Sequence, residues 1–212
     1  MDMGQLTSVL TARRTTAPRF NLPVESAETA LKLICQSVAA EVIRRGGKPA
    51  KNHAFDAQAA QVADWLYRQD KCGLILCGTV GNGKTTMMDA IINLYTGQIK
   101  HQGRSVGFRR MDAIELNRCT DERLEETKRH PLLAIDDLGT ENVSVKVYGN
   151  EVSPVTEILY HRYQQQLPTV ITTNLTPPQL RERYGERVAD RFREMMRFVI
   201  YENPSYRGAN IN

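Results

Sequence analysis

Eight residues decide the fold of this 212-residue chain: Gly78-Thr79-Val80-Gly81-Asn82-Gly83-Lys84-Thr85. They match, at every fixed position, the G-x-x-x-x-G-K-[ST] loop that connects a strand to a helix. The apolar run 73–77 before the loop predicts a buried strand, and residues 87–92 after it predict an amphipathic helix. In that context the pattern indicates a phosphate-binding loop rather than a chance glycine turn.

The residue types of this loop suit a polyphosphate. Glycines let the backbone curl so that successive N–H groups point inward, and the start of the following helix adds partial positive charge. Lys84 would reach the β- and γ-phosphates, and the Thr85 hydroxyl would hold Mg²⁺. We therefore predict that ATP and Mg²⁺ are the cofactors, with the nucleotide bound by Gly78, Thr79, Val80, Gly81, Asn82, Gly83, Lys84, Thr85 and Thr86.

Composition indicates an ordinary soluble globular protein with one main domain, since 41% of residues are hydrophobic and 25% are charged. No apolar stretch has the length of a membrane span and the N-terminus lacks a secretory signal, so we expect a cytoplasmic protein without a membrane partner. The four cysteines and four histidines lack the spacing of a zinc site, so any metal should arrive with the nucleotide. A net charge of +4 is too small to indicate nucleic-acid binding by itself.

Strands and helices alternate along the chain, which predicts an α/β fold: a five-stranded, mostly parallel sheet with helices on both faces. The predicted strands cover 73–77, 105–109, 132–136, 169–173 and 198–201. The predicted helices after the loop helix are two short ones within 113–128, then 156–166, 178–184 and 187–196.

The segment before the first strand predicts two helices. We expect a mobile tail over 1–25 and then a helix over 26–45, whose apolar stripe suits docking on the core or on a partner. A linker at 48–52 and a second helix with Asp56 as its N-cap follow.

Two carboxylates, Asp136 and Asp137, follow the apolar residues of the third predicted strand. Open α/β sheets bind ligands at the carboxyl edge of their strands, and the pair resembles a Walker B motif. Asp136 would hold Mg²⁺ through its water shell, and Asp137 would orient or deprotonate the attacking water. The alternative is a helix cap or loop turn, since Gly139 follows closely.

The fourth predicted strand ends in polar residues, Thr172-Thr173-Asn174, which is unusual for a strand that begins in the core. Asn174 could form a hydrogen bond with the γ-phosphate or position water. The alternative is an ordinary strand exit into a turn, and the residues alone leave both open.

With these motifs in order, residues from about 55 to 208 resemble the AAA+ ATPases, specifically the branch of DnaC-type helicase loaders and IstB-type transposition helper ATPases. The most distinctive segments are Ile135–Gly139, Ile171–Leu175, Tyr184–Phe192 and Ser205–Arg207. The resemblance implies a three-layer P-loop NTPase in which the fourth strand lies between the first and third. It also implies a short helical N-terminal extension over 1–50 for partner docking and an ATPase domain over 51–212 without a full lid domain.

The same resemblance implies roles for particular residues. Lys84 and Thr85 correspond to Walker A, Asp136 and Asp137 to Walker B, and Asn174 to sensor 1. Arg191 matches the arginine finger that enters a neighbouring subunit's site, with Arg187 as the second choice.

A finger that acts in trans implies self-association and poor hydrolysis by a monomer. Most AAA+ proteins carry Glu where Asp137 stands, and the shorter side chain is consistent with a slow switch. Arg207 could act like a sensor 2 residue.

The leading hypothesis is an ATP-dependent loader that assembles on a replicative helicase. An IstB-like helper of a transposase would share the site and differ in its partner. A P-loop small-molecule kinase is disfavoured because nothing in the sequence points to a particular acceptor, and because the sensor 1 and finger motifs have no natural place in such kinases. A non-hydrolysing scaffold is disfavoured because Lys84, Thr85, Asp136 and Asp137 are all retained.

Single-stranded DNA is a further candidate ligand, because relatives of this branch contact it from helices after the second strand. The basic residues of that stretch are Arg109, Arg110, Arg118, Arg123, Lys128 and Arg129. A solvated face balanced by Glu122, Glu125 and Glu126 explains them equally well.

Overall fold

The computed structural model describes residues 22–49, 53–68, 70–101, 103–142, 145–147 and 150–206. Its elements in chain order are α1 (Ala27–Arg44), α2 (His53–Arg68), β1 (Gly73–Gly78), α3 (Lys84–Tyr95), β2 (Ile99–His101), β3 (Arg104–Val106), β4 (Arg109–Asp112), α4 (Ala113–Asn117), α5 (Asp121–Arg129), β5 (Leu133–Leu138), β6 (Val145–Val147), β7 (Asn150–Val152), α6 (Pro154–Gln165), β8 (Thr169–Thr173), α7 (Pro177–Tyr184), α8 (Glu186–Met195) and β9 (Met196–Tyr201). No helix in this part of the chain is long and apolar enough to cross a bilayer.

Five parallel strands form the central sheet, in the order β4-β5-β8-β1-β9. β8 therefore lies between β1 and β5, as the family resemblance implies. Two short antiparallel hairpins, β2-β3 and β6-β7, lie outside this sheet.

Helices cover both faces of the sheet, and β1 illustrates how its residues divide between them. Leu74 and Leu76 pack in one apolar cluster with α1, α2 and α3, whereas Ile75 and Cys77 pack in a second cluster with α4 to α8. A strand buried on both faces reads as a continuous apolar run, which is why the sequence predicted it. The predicted three-layer α/β architecture is confirmed.

Helix α1 packs on the core of the fold through its predicted apolar stripe. Ser26 caps its start by accepting a 3.1 Å hydrogen bond from the Thr29 N–H, and Gly46, at φ +79°, follows its end. Ile34 and Val38 are buried among residues of α2 and α3. Of the two predicted roles of this stripe, the structure shows docking on the core of the same chain.

Two sequence-based boundaries are wrong. Asp56 is not an N-cap, because α2 begins at His53 and Asp56 lies in its first turn. The strand predicted at 105–109 is two different elements: 104–106 pair with β2 in a hairpin, and the sheet strand β4 begins at Arg109.

Short runs explain the second error. Val106 and Phe108 both contact the core cluster, so apolar residues alternate as they would in one strand. In the structure β3 ends at Val106 and β4 begins at Arg109, and residues 107–108 belong to neither strand. The hairpin β6-β7 was not predicted. Residues 1–21 of the predicted tail, and 50–52 of the linker, lie outside the described residues. For the rest of the predicted tail, 22–25, the prediction of mobility is wrong, because Leu22 is buried in the core cluster and Val24 packs against it.

Candidate nucleotide site

Glycines shape the loop between β1 and α3. Gly81 and Gly83 have φ values of +82° and +96°, a region that other residues rarely adopt. At Gly78 a Cβ atom would lie 2.5 Å from the Tyr201 carbonyl oxygen, so only glycine fits there. The first turn of α3 contains no acidic residue, so no carboxylate of that turn competes with an anion for its N–H groups.

The side chain of Lys84 links the loop to the end of β8. Its Nζ donates to the carbonyl oxygens of Gly78 and Thr79, both at 2.7 Å, and to Oδ1 of Asn82 at 3.1 Å. It also donates to Oδ1 of Asn174 at 3.0 Å. The structure thereby brings together the residues that resemble Walker A and sensor 1.

Asp136 accepts three hydrogen bonds. Its Oδ1 accepts from the hydroxyls of Thr85 at 3.2 Å and Thr172 at 2.5 Å, and its Oδ2 accepts from Nη2 of Arg110 at 2.5 Å. The side chain is 12% exposed. Thr85 and Asp136, which the sequence analysis assigned to the metal, therefore lie side by side.

This donor set fits Mg²⁺ that arrives with a nucleotide. Magnesium usually takes one or two protein oxygens and completes its shell with phosphate oxygens and water. Thr85 at the start of α3 and Asp136 in β5 supply two such oxygens side by side. The described residues contain no cluster of three or more His, Cys, Asp or Glu that could form a dedicated metal cage.

Thr172 supports both aspartates, a role that the sequence analysis missed. Its fully buried hydroxyl donates to Asp136 and accepts a 2.9 Å hydrogen bond from the Asp137 N–H. Asp137 is exposed at φ +52°, where the pairing of β5 with β8 shifts register. The sequence contained a signal for this role of Thr172, because a hydroxyl buried at the polar end of a strand needs a hydrogen-bond partner.

The segment after β9 forms hydrogen bonds with carbonyl groups of the phosphate loop. The Tyr206 N–H donates to the Gly81 carbonyl at 2.8 Å, and Nδ2 of Asn203 donates to the Asn82 carbonyl at 3.3 Å. Asn203 in turn accepts from Nε2 of Gln58 at 2.7 Å. Sequence reasoning missed Gln58 and Asn203, and Arg207 lies outside the described residues.

Arg187 and Arg191 lie one turn apart on α8 and contact tyrosines of α6. The Arg191 guanidinium lies 4.5 Å from the ring centre of Tyr160 and 4.8 Å from that of Tyr163. Arg187 lies 5.3 Å from the Tyr160 ring centre and is exposed. A finger acts on a neighbouring subunit, so this role stays a prediction.

Most of the predicted DNA-contacting cations pair with carboxylates. Lys128 is 6% exposed on its side chain and contacts Glu125 and Glu157. The further pairs are Arg109 with Glu126, Arg123 with Glu115, Arg129 with Glu125, and Arg110 with Asp89 and Asp136. A groove of about 480 Å³ beside β4 is lined by residues of both charges, including Arg123 and Glu122. This surface is therefore mixed in charge.

The parallel sheet order and the glycine-shaped loop make this a P-loop α/β fold, and structural comparison finds similar folds among solved proteins. The DnaC helicase loader matches with a TM-score of 0.56 and 20% identity, over 73% of this chain and 93% of that chain. A structure of DnaI matches with a TM-score of 0.52 and 23% identity, over 72% and 87%. AMPPCP-bound DnaA from Aquifex aeolicus matches with a TM-score of 0.52 and 15% identity, over 87% and 51%.

The sequence comparison agrees with the DnaC-type branch. The chain is 30% identical to the replicative helicase loader DnaI of Bacillus subtilis (strain 168) over 139 residues, which are 61% of this chain and 43% of that protein. The match thus spans less than half of that relative. No family model matches the chain. The resemblance to DnaC-type AAA+ proteins that the motifs predicted is confirmed.

Proposed function

We propose that this chain binds ATP with Mg²⁺, hydrolyses the ATP slowly, and uses this cycle to load a replicative helicase. The observation that carries the proposal is the meeting of two motif pairs at one sheet edge. Lys84 contacts Asn174 at 3.0 Å, and Thr85 contacts Asp136 at 3.2 Å. Similarity to DnaC-type AAA+ proteins supports the same conclusion.

Each residue at this edge has a defined task in the proposal. The loop amides hold the phosphates, while Lys84 exchanges its contacts with the loop carbonyls for phosphate oxygens. Thr85 and Asp136 would hold Mg²⁺, which when bound neutralises charge on the phosphate oxygens. Asn174 donates its amide to the γ-phosphate, and the exposed Asp137 orients or deprotonates the attacking water.

The proposed site is completed by an arginine of a second subunit. Arg191 is our first choice because Asp190-Arg191-Phe192 matches the finger motif, and Arg187 is the second. Both lie on α8 beside Tyr160 of α6. A cation that reaches the γ-phosphate only in an assembly makes hydrolysis depend on self-association.

ATP turnover tests the enzymatic part of this proposal. We expect slow phosphate release whose rate per subunit rises with protein concentration, and at least about a hundredfold less release by Asp137→Asn, because that carboxamide cannot accept a proton. Asp121→Asn, an exposed N-terminal residue of α5, is the control that should leave turnover unchanged. Equal turnover by wild type and Asp137→Asn would assign the water-activating role elsewhere.

The helicase is the proposed macromolecular partner, and residues 1–50 are the proposed docking extension. Co-purification with a replicative helicase in ATP tests this, with Lys84→Ala as the nucleotide-deficient comparison. We expect wild type to associate in ATP and the variant to associate at least about tenfold less. A chain that binds the helicase in neither form would contradict the loader role and favour the IstB-like transposition helper.

Single-stranded DNA is a second proposed ligand, at the exposed face of α4 and α5. Arg118 and Arg123 are exposed there, although Arg123 also pairs with Glu115, whereas Lys128 is almost fully buried between Glu125 and Glu157. A backbone contact of this kind is independent of sequence and sensitive to salt. We expect single-stranded DNA to raise ATP turnover at low salt, and an unchanged rate would contradict this role.

A further inference from the structure

Arg110 joins two carboxylates that no sequence pattern relates. On the edge strand β4, its Nη2 donates to Oδ2 of Asp136 at 2.5 Å and its Nη1 donates to Oδ1 of Asp89 at 2.7 Å. The two carboxylates are only 12% and 11% exposed, while the Arg110 side chain is 42% exposed. Asp136 is the carboxylate that we assign to magnesium.

The contacts continue from Asp89 to helix α1. Oδ2 of Asp89 accepts from Nη2 of Arg45 at 2.5 Å, and Nε of Arg45 donates to Oε1 of Glu41 at 2.7 Å. Asp136, Arg110, Asp89, Arg45 and Glu41 thus form an unbroken chain of alternating charge, which we call the charge chain. It connects the proposed metal site to the N-terminal helix.

Arg45 also touches the phosphate loop helix directly. Its Nη1 donates to the Thr86 hydroxyl at 3.0 Å, next to the metal-holding Thr85 in sequence. Its guanidinium therefore contacts both Asp89 and Thr86, which lie on α3.

We propose that Arg110 is a positioning residue that holds Asp136 when magnesium is absent and thereby raises the magnesium concentration needed for tight nucleotide binding, and that α1 adjusts this hold through Arg45 and Asp89. The proposal rests on the proposed function, because it concerns the metal of the same nucleotide site.

Electrostatics gives the direction of the effect. The Arg110 guanidinium neutralises one carboxylate that Mg²⁺ requires and repels a second cation near it, and partly buried charges are poorly screened by salt. Replacing Arg110 with a neutral side chain should therefore favour magnesium at Asp136.

Arg45 and Arg110 share Asp89, so they influence one another. When Arg45 withdraws, Asp89 keeps Arg110 as its remaining partner in the charge chain and attracts it more strongly. That attraction weakens the hold on Asp136. A displacement of α1 by a docked partner would act in the same direction as the removal of Arg45.

A magnesium titration tests the proposal. The affinity for a fluorescent ATP analogue is measured in EDTA and then at rising Mg²⁺, and the midpoint of the increase in affinity is recorded. We expect Arg110→Gln to lower this midpoint by about fivefold or more, and Arg45→Gln to lower it by a smaller factor. Arg110→Lys, which keeps the charge but loses the forked geometry, should fall between wild type and Arg110→Gln.

Two controls make the result specific. Arg109→Gln removes the adjacent arginine of β4, which contacts Thr127 and Glu126 instead, and Arg68→Gln removes an exposed arginine of α2 that pairs with Asp64, outside the charge chain. Both should keep the wild-type midpoint, and circular dichroism melting verifies that every variant is folded.

The possible outcomes distinguish a failure of the role of Arg110 from a failure of the proposed nucleotide binding. If the analogue binds and the Arg110→Gln midpoint equals or exceeds that of wild type, the role of Arg110 is overturned while nucleotide binding stands. If folded wild-type protein binds no analogue in EDTA or in Mg²⁺, the proposed function itself is overturned, and this inference falls with it.

Discussion

Nζ of Lys84 and Oδ1 of Asn174 lie 3.0 Å apart although 90 positions separate them in the chain. Lys84 begins α3 directly after the phosphate loop, and Asn174 follows β8, the strand that pairs with β1. The sheet order therefore determines that an amide side chain stands beside the phosphate-binding amine.

Asn174 should affect hydrolysis more than nucleotide affinity. We expect Asn174→Ala to lower ATP turnover about a hundredfold, because a donor aimed at developing charge acts mainly in the transition state. Nucleotide affinity should change by less than about threefold. Turnover and equilibrium binding measured on the same samples test this, with Asn93→Ala on the same helix as Lys84 as the control. An equal loss in affinity and turnover would contradict a sensor role.

Thr172 should support the two aspartates through its hydroxyl alone. Thr172→Val keeps the shape but removes the donor to Asp136 and the acceptor for the Asp137 N–H, so we expect a loss of about 1–3 kcal/mol in unfolding free energy and reduced turnover. Thr172→Ser keeps the hydroxyl and should recover most of both. A serine variant as impaired as the valine variant would indicate that the methyl group matters instead.

Arg162 should be a major determinant of stability. It is fully buried, and its guanidinium donates five hydrogen bonds, to the Thr169 hydroxyl and to the carbonyls of Lys128, His130, Pro131 and Pro168. Burial lowers the pKa of Arg162 to about 9, which still leaves it charged at neutral pH.

Arg162→Met leaves those carbonyls without their donor, so we expect chemical denaturation to report a loss of about 3–5 kcal/mol. Arg193→Met, an exposed change on α8, should cost less than about 0.5 kcal/mol. A stability change for Arg162→Met as small as that of Arg193→Met would refute this assignment.

Glu41 should make stability depend on acidity. Hydrogen bonds from Arg44 and Arg45 lower the pKa of Glu41 from 4.5 to about 2. A carboxylate whose pKa is lower in the folded than in the unfolded protein stabilises the fold fully when the pH is above the unfolded-state pKa. For Glu41 this contribution is lost as the pH falls through the folded-state pKa of about 2. The difference in unfolding free energy between wild type and Glu41→Gln should therefore be constant above pH 5 or so and shrink below about pH 4. A difference that does not vary with pH would exclude the ionised pair as its cause.

Subunit mixing tests the finger. Lys84→Ala has an intact finger and an impaired loop, and Arg191→Ala has the reverse. Each alone should hydrolyse ATP at least about a hundredfold more slowly than wild type, and their mixture should regain part of the activity, because one kind of interface combines both intact halves. Arg187→Ala, tested in the same way, distinguishes the two candidate arginines. A mixture no more active than its components would contradict a trans finger.

Long apolar runs made much of this fold predictable. β1, β5 and β8 are buried on both faces, so their sequences stand out and the polar residues at their ends identify the site. β2, β3 and β4 have only three or four residues each and include exposed positions, so their pattern is too weak to fix a boundary.

The supporting contacts of the site were harder to predict because they join distant parts of the chain. Arg110 meets Asp136 across two neighbouring strands, and Gln58 meets Asn203 from a position 145 residues away. Such pairs depend on strand register and helix packing, which local periodicity does not contain. The sequence alone instead groups Arg110 with cations that either contact DNA or belong to a solvated face, and does not decide between the two.

Isothermal titration of ATP and Mg²⁺ into the folded protein tests the central claim most directly. The account predicts a saturable heat with one nucleotide per chain, and an affinity at least about tenfold lower for Lys84→Ala, since that variant lacks the cation at the phosphate loop. The absence of heat from folded wild-type protein, or equal affinity in the Lys84→Ala variant, would contradict the account.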